Sequence, residues 1–327
     1  MIIDTHSHIG NDFYCGNIKI QDYIQFCKKN KIDIGFLMPT PWPQYKDNNQ
    51  YVTSLIWEHD NYIKKNYYSL INGNKVSIES NPYKNVNYNC FDEINKNHCS
   101  DIQLYFVPLI HGVLDNANYL EKMLGELNPK AVKMHGFGSG FSPTEIKSDI
   151  VEILKYYDIP IILHTSVYNY DYGYGADTKY WRNECHPYKW IEFLLKNNLK
   201  GVLNHGACLH NETIDLVNKS EKIMVALGPD LDISKDFFKV DIPKETYLKI
   251  EYLKYLKQKL VSTKILFDID YNWNVDENNN IDNNSIQRVS ETWSENELDN
   301  ILYNNALEFF KLSHNEVKAK ILKNTKN

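Results

Sequence analysis

Eight short apolar runs recur along the chain, and their spacing sets what it can fold into. They are Met1–Thr5, Ile32–Met38, Leu104–Ile110, Ala131–Met134, Ile159–Leu163, Gly201–Leu203, Ile223–Leu227 and Lys264–Phe267. Rich in Ile, Leu and Val, they read as parallel strands covered on both faces. Most are separated by segments of helical periodicity. Ile146–Tyr157 carries apolar residues at 146, 150, 153, 154 and 157, behind a Ser142-Pro143-Thr144-Glu145 capping box. Ser294-Glu295-Asn296-Glu297 opens a last helix with Leu298, Ile301, Leu302, Phe309 and Phe310 on its apolar side. Strands alternating with helices predict an α/β chain folded as a single (β/α)8 TIM barrel. A doubly wound open sheet is the competing architecture, but no glycine-rich phosphate turn follows the first run.

One stretch breaks the rhythm. Residues 39–103, rich in Asn and Tyr, read as an insertion after the second strand, with a helix near Tyr51–Asn66. The whole chain, 1–327, is thus expected to be one domain carrying one insertion. Asp276–Asn284, with five Asn among nine residues, reads as a mobile loop after the eighth strand. With 43% hydrophobic residues the chain can build a core, which excludes disorder throughout. Its net charge of −6 is the wrong sign for a phosphate-binding surface, so no nucleic-acid partner is expected. The longest apolar runs fall far short of the roughly 20 residues a membrane span needs. Met1-Ile2-Ile3 already reads as strand, so no signal peptide is expected and the location expected is the cytoplasm. The six cysteines (15, 27, 90, 99, 185, 208) form no CxxC pair and read as reduced thiols, Cys208 as a small buried filler.

The histidines are unevenly placed. Five of eleven (His6, His8, His135, His164, His205) fall at or just beyond the carboxyl ends of predicted strands, and His111 follows the third. Chance would put roughly one there, and the carboxyl face is where barrels of this kind carry their chemistry. On a strand, residues i and i+2 point the same way, so His6 and His8 project side by side, with Asp4 of the same parity lower down. Lys133 and His135 share a face with Ala131; His164 shares one with Ile162, and His205 lies in phase with Leu203. The eighth run ends Asp268-Ile269-Asp270, two aspartates of one parity. Imidazole nitrogen and carboxylate oxygen are ligands that Zn²⁺ and its neighbours prefer.

Asp4-Thr5-His6-Ser7-His8, Lys133-Met134-His135, His164-Thr165, Asn204-His205-Gly206 and the late aspartate together resemble the amidohydrolase superfamily, in particular its amidohydrolase-2 branch of hydrolases and decarboxylases. Ile265–Tyr271 is similar to that branch's Phe-Gly-Ser/Thr-Asp-Tyr-Pro pattern, which places the family aspartate at Asp270; Asp268 stands where a small residue is usual. Asn305–Phe310 resembles the branch's final helix. The resemblance implies that His6, His8, His164 and Asp270 hold one divalent metal, Zn²⁺ with Mn²⁺ as an alternative, lowering the pKa of a bound water toward about 7. It further implies Asp270 as the acceptor of that water's proton, with His205 as acid/base or carbonyl polariser. Lys133 has two readings. Carboxylated, it would bridge to a second metal served by His164 and His205; as an ammonium, it would contact a substrate carboxylate or developing negative charge.

The substrate expected is a small molecule. His135 and Arg182 are candidate substrate contacts, Arg182 because a guanidinium in the loop after the fifth strand would clamp a carboxylate. Trp42, Tyr172, Tyr174, Trp181 and Trp273 also lie in loops on the catalytic side. Gly136–Gly140 reads as an anion cradle or as a plain connection to the next helix. The first functional reading is a metal-dependent hydrolase of a small amide, lactone or ester-like bond. The alternative is a non-oxidative decarboxylase of an aromatic or unsaturated acid, and a third reading is a TatD-like nuclease, disfavoured by the acidic charge. Dimers are common among similar proteins, so a homodimer is compatible with the resemblance.

Overall fold

Burial along the strands alternates between two apolar layers. Ile3, Phe36, Val107, Ala131, Ile162, Val202 and Leu266 belong to one buried cluster, while Leu37, Val132, Leu163, Leu203 and Phe267 pack on the opposite side against helices. The computed structural model describes residues 1–13, 16–47, 49–60, 64–97, 99, 101–165, 186–228, 249–271, 273–274 and 281–313. Its strands are β1 (Ile3–Asp12), β2 (Gly16–Ile18), β3 (Ile34–Pro39), β4 (Pro43–Asp47), β5 (Gln50–Asp60), β6 (Lys64–Ile71), β7 (Asn74–Ser77), β8 (Gln103–Phe106), β9 (Val132–Met134), β10 (Ile161–Leu163), β11 (Gly201–Leu203), β12 (Ile223–Ala226) and β13 (Ile265–Leu266).

Each of the eight predicted runs contains a parallel strand. β1, β3 and β8 pair in parallel, and β9 through β13 form a second, all-parallel sheet. The sheets meet at both edges. Ile110 N donates to Lys133 O (2.9 Å) and Lys133 N to Pro108 O (2.8 Å), while Thr5 N donates to Phe267 O (3.1 Å) and Asp270 N to His6 O (2.8 Å). The (β/α)8 expectation is met in its coarser part only. The strands form two sheets rather than one closed ladder, and the first is mixed, because β1 runs on to Asp12 and gains antiparallel partners in β2 and β4.

The insertion differs from expectation. Where a helix was expected near Tyr51–Asn66, β4 to β7 form an antiparallel meander. Tyr51-Val52-Thr53-Ser54-Leu55-Ile56-Trp57 is dense in β-branched and aromatic side chains, which suit a pleated surface better than a helix. The helix in this region comes later, at Lys84–Lys96. The meander extends β1 past the site and roofs the segment after β9: Trp57 Nε1 donates to Phe137 O (2.7 Å) and Tyr67 OH to Gly140 O (2.8 Å).

Both capping boxes are present, although the first closes a short 3₁₀ turn at Pro143–Glu145 and the helix itself starts at Ser148. At the other end of the strands, Asn305 Nδ2 donates to Ile265 O (2.7 Å), and Leu307 and Phe310 join the inner cluster, so the last helix plugs it from below. Cys27, Cys90 and Cys99 are free thiols, and Cys208 is buried as expected. No helix among the described residues is long and apolar enough to cross a membrane. Arg182, Tyr172, Tyr174, Trp181 and most of the 276–284 loop lie outside the described residues; Asp282, within that loop, is buried and takes a two-pronged bond from Arg288.

Candidate metal centre

His6 and His8 project together from β1, their ring centroids 4.8 Å apart. With Asp270 they form a group of potential ligands whose donor atoms all lie within 4.8 Å of one another, and all three side chains are buried. Asp270 arrives because its backbone N–H is tied to His6 O beyond the end of β13. Its φ of +52° is a left-handed conformation that costs free energy and recurs at functional sites.

Asp4 does not face this group. The pairing of β1 with β3 slips between Asp4 and Ser7, so parity fails there. The Asp4 carboxylate accepts from Tyr23 OH (2.7 Å), Ser7 Oγ (2.6 Å), His6 N (3.2 Å) and Ile269 N (2.9 Å). Four donors stitch β1, the first helix and the end of β13 together beneath the ligands. Burial nevertheless pushes Asp4 up to about 6.

Tautomers follow from partners. His8 Nδ1 is 2.9 Å from Pro39 O, which only accepts, so Nδ1 carries the proton and Nε2 a lone pair. That lone pair faces Asp270 Oδ1 at 3.7 Å, and the oxygen has no hydrogen-bond partner. His6 Nδ1 and Asp268 Oδ2 are likewise buried without one. Burial raises Asp270 to about 7 and Asp268 well above the usual carboxylate range. The same burial, with Lys133 nearby, lowers His8 to about 3 and His6 far below its ordinary value, so both imidazoles are neutral donors. The facing acceptors His8 Nε2 and Asp270 Oδ1, beside His6, fit a divalent cation, which binds such atoms at about 2.0–2.2 Å.

The remaining histidines sort by their contacts. His135 stacks on His164 (centroids 3.8 Å, 12°), and His164 Nδ1 lies 3.1 Å from His205 Nε2. His205, 6.0 Å from His6 ring to ring, was expected in phase with Leu203, but Leu203 faces outward. It reaches the site because the chain leaves β11 at Asn204 and runs through a left-handed turn, with positive φ from His205 to Leu209. His164 borders the trio through these rings and is not among its mutually close atoms. His111 has a structural role: Nε2 bonds Ser139 O (2.9 Å) and Nδ1 accepts from Leu114 N (3.0 Å). Lys133 is fully buried with Nζ 2.9 Å from His6 Nε2.

Trp42 lies 5.8 Å from His135 and 6.3 Å from Phe137, forming an apolar wall. Gly136–Ser139 is a buried helical turn under Trp57; Gly138 N donates to His135 Nδ1 (2.8 Å), so that N–H already has a partner other than an anion.

No protein-family model and no curated protein matches the chain. Solved structures do. A probable 2-pyrone-4,6-dicarboxylic acid hydrolase from Acinetobacter baumannii is similar at TM-score 0.56 and 12% identity, over 95% of this chain and 99% of that one. An amidohydrolase II is similar at TM-score 0.58 and 13% identity, over 95% and 100%. A 5-carboxyvanillate decarboxylase from Novosphingobium aromaticivorans, holding manganese and 3-methoxy-4-hydroxy-5-nitrobenzoic acid, is similar at TM-score 0.57 and 12% identity, over 95% and 97%. The chain has the amidohydrolase fold.

Within this amidohydrolase fold, Asn204 is a polar residue that the sequence reading left without a role. It is fully buried, and neither side-chain atom has a hydrogen-bond partner. Its parity with the inward-facing Val202 was the signal that could have found it.

Proposed function

We propose that the chain is a metal-dependent hydrolase of the amidohydrolase superfamily, acting on a small amide, lactone or ester-like substrate. The two sheets and the bonds that join their edges are read as one (β/α)8 barrel, with the centre at its carboxyl end. The observation that carries the reading is the facing pair of acceptors, His8 Nε2 and Asp270 Oδ1, beside His6. His6, His8 and Asp270 would hold one Zn²⁺ or Mn²⁺ ion, with His164 the neighbouring candidate ligand. Bound there, the cation would supply Lewis acidity and an activated water.

The chain's own groups do the rest. Asp270, as a ligand beside the activated water, would accept the attacking water's proton. His205 Nε2, hydrogen-bonded to His164, is placed to pass a proton to the leaving group. The Lys133 ammonium would face a substrate carboxylate or the developing oxyanion. His135 and Trp42 would line the pocket, and Arg182 would clamp a carboxylate. One cation is favoured because, among the described residues, only one such group of ligands forms.

A second reading, non-oxidative decarboxylation of an aromatic acid, is favoured by the buried Lys133 against His6 together with the apolar ring of Trp42 against His135. The test is to purify the protein without added metal or chelator, measure metal per chain, and assay lactones, amides and aromatic acids. A ratio near one with water-consuming turnover supports hydrolysis. Release of CO₂ without water uptake selects the second reading, and no metal bound or regained with Zn²⁺ or Mn²⁺ refutes both.

A further inference from the structure

Lys133 and Asp268 address the two nitrogens of His6 from different sides. Lys133 Nζ lies 2.9 Å from Nε2. An unmodified lysine ammonium has donors only, so Nε2 accepts and the ring's proton sits on Nδ1. That Nδ1 has no hydrogen-bond partner. Asp268 Oδ2, 3.5 Å away, has none either, and both side chains are buried. The other Asp268 oxygen accepts from Gly228 N–H at the end of β12, so the carboxylate is pinned by backbone. Gly228 permits that approach: a Cβ there would meet both Asp268 oxygens at 3.3–3.4 Å, and its φ is +41°. Asp270 Oδ1 is also 3.8 Å from His6 Nδ1, but it faces the His8 lone pair as well, which is the place of a ligand.

We propose that Asp268 is a positioning residue of the metal centre: it takes the Nδ1–H of His6, fixes that tautomer and turns the Nε2 lone pair toward the cation. The inference rests on the metal reading above. The two aspartates of one parity after β13 then have different tasks, Asp270 as a direct ligand and Asp268 acting through His6. Carboxylate–histidine–metal relays of this kind orient the ring and raise its basicity. A lone pair serves one partner at a time, so cation uptake displaces the Lys133 contact.

The experiment uses the full chain labelled with ¹⁵N-histidine, metal-free and after Zn²⁺ loading, with the His6 signals assigned by comparison with His6→Gln. The expected result is an Nδ1–H tautomer at His6 in the metal-free protein. Zn²⁺ affinity, measured by competition with a chromophoric chelator, falls about 10–100-fold in Asp268→Asn while stoichiometry stays near one. An Nε2–H tautomer in the wild type, or unchanged affinity in Asp268→Asn, overturns the proposal. So does loss of stoichiometry as complete as in Asp270→Asn, which would make Asp268 a ligand. If Asp268→Asn does not fold, the wild-type tautomer and Asp268→Glu decide. A wild type that binds no Zn²⁺ defeats the metal reading, whereas the tautomer is still read on the metal-free protein.

Discussion

Tyr23, on the first helix, donates a 2.7 Å hydrogen bond to Asp4 directly beneath the two histidines of β1. Asp4 also accepts from His6 N and Ile269 N, so this carboxylate sets the relative position of the ligand-bearing segments. Tyr23→Phe should cost about 1.5–3 kcal/mol, the range for a hydrogen bond to a charged group. Asp4→Ala should cost more, about 3–5 kcal/mol, because it strands several buried donors. Urea denaturation of the metal-free proteins measures both. Asp4→Ala should also lose Zn²⁺ affinity although it touches no cation, and equal affinity would separate Asp4 from the centre.

Trp57 occupies the space a side chain at position 140 would need. A Cβ built on Gly140 falls 2.3 Å from Trp57 Cγ, and the residue's φ is +72°. Gly140→Ala should therefore destabilise through both strain and collision, and Trp57→Ala by about 3–5 kcal/mol through lost packing. The double variant should cost less than the sum, since the collision vanishes with the indole. Strictly additive denaturation energies would show that the meander does not bear on this turn.

How far the sequence was legible depended on whether the backbone stayed regular. All eight parallel strands were visible as apolar runs; His6 and His8 stood out by their i, i+2 spacing on β1, whereas Asp270, beyond the end of β13, was singled out by the resemblance. Parity failed at Asp4, where β1 slips against β3, and at His205, where a left-handed turn carries an outward-phased residue inward. Neither irregularity leaves a mark in side-chain periodicity. The β-branched and aromatic content of Tyr51–Trp57 pointed to the meander, but periodicity alone does not tell a short apolar run such as Leu55-Ile56-Trp57 from a helix segment. Asp268 stood out by parity, but only the unpartnered Oδ2 facing His6 gives it a task.

Burial raises Asp115 from 3.8 to about 7, and its carboxyl accepts a 2.7 Å bond from His111 N. A folded-state pKa above the unfolded value means the native chain holds the proton more tightly. The contribution is fully present below the unfolded value of 3.8 and is lost as pH rises through about 7. Between pH 5 and 8 the wild type should lose roughly 2–3 kcal/mol from this group. Asp115→Asn keeps an acceptor for His111 N and removes the titration. Denaturation at several pH values should show a shallower decline in the variant; parallel curves would mean the carboxyl is not protonated in the folded protein.

His111 and His8 are both buried, both lowered to about 3, and both follow the logic of a fixed tautomer, yet they should separate under metal analysis. His111 uses both nitrogens on the backbone, at Ser139 O and at the Val113 and Leu114 N–H groups. His8 uses one nitrogen on Pro39 O and turns the other to Asp270. His111→Ala should lose stability while still binding about one metal per chain. His8→Ala should retain most of the metal-free stability and bind little or no metal. A chelator should lower the wild-type melting temperature, because a ligand of the native state alone stabilises it by mass action, and Zn²⁺ or Mn²⁺ should restore it. In His8→Ala neither treatment should move the transition. A His8→Ala protein that still melts higher with added metal would place the cation elsewhere.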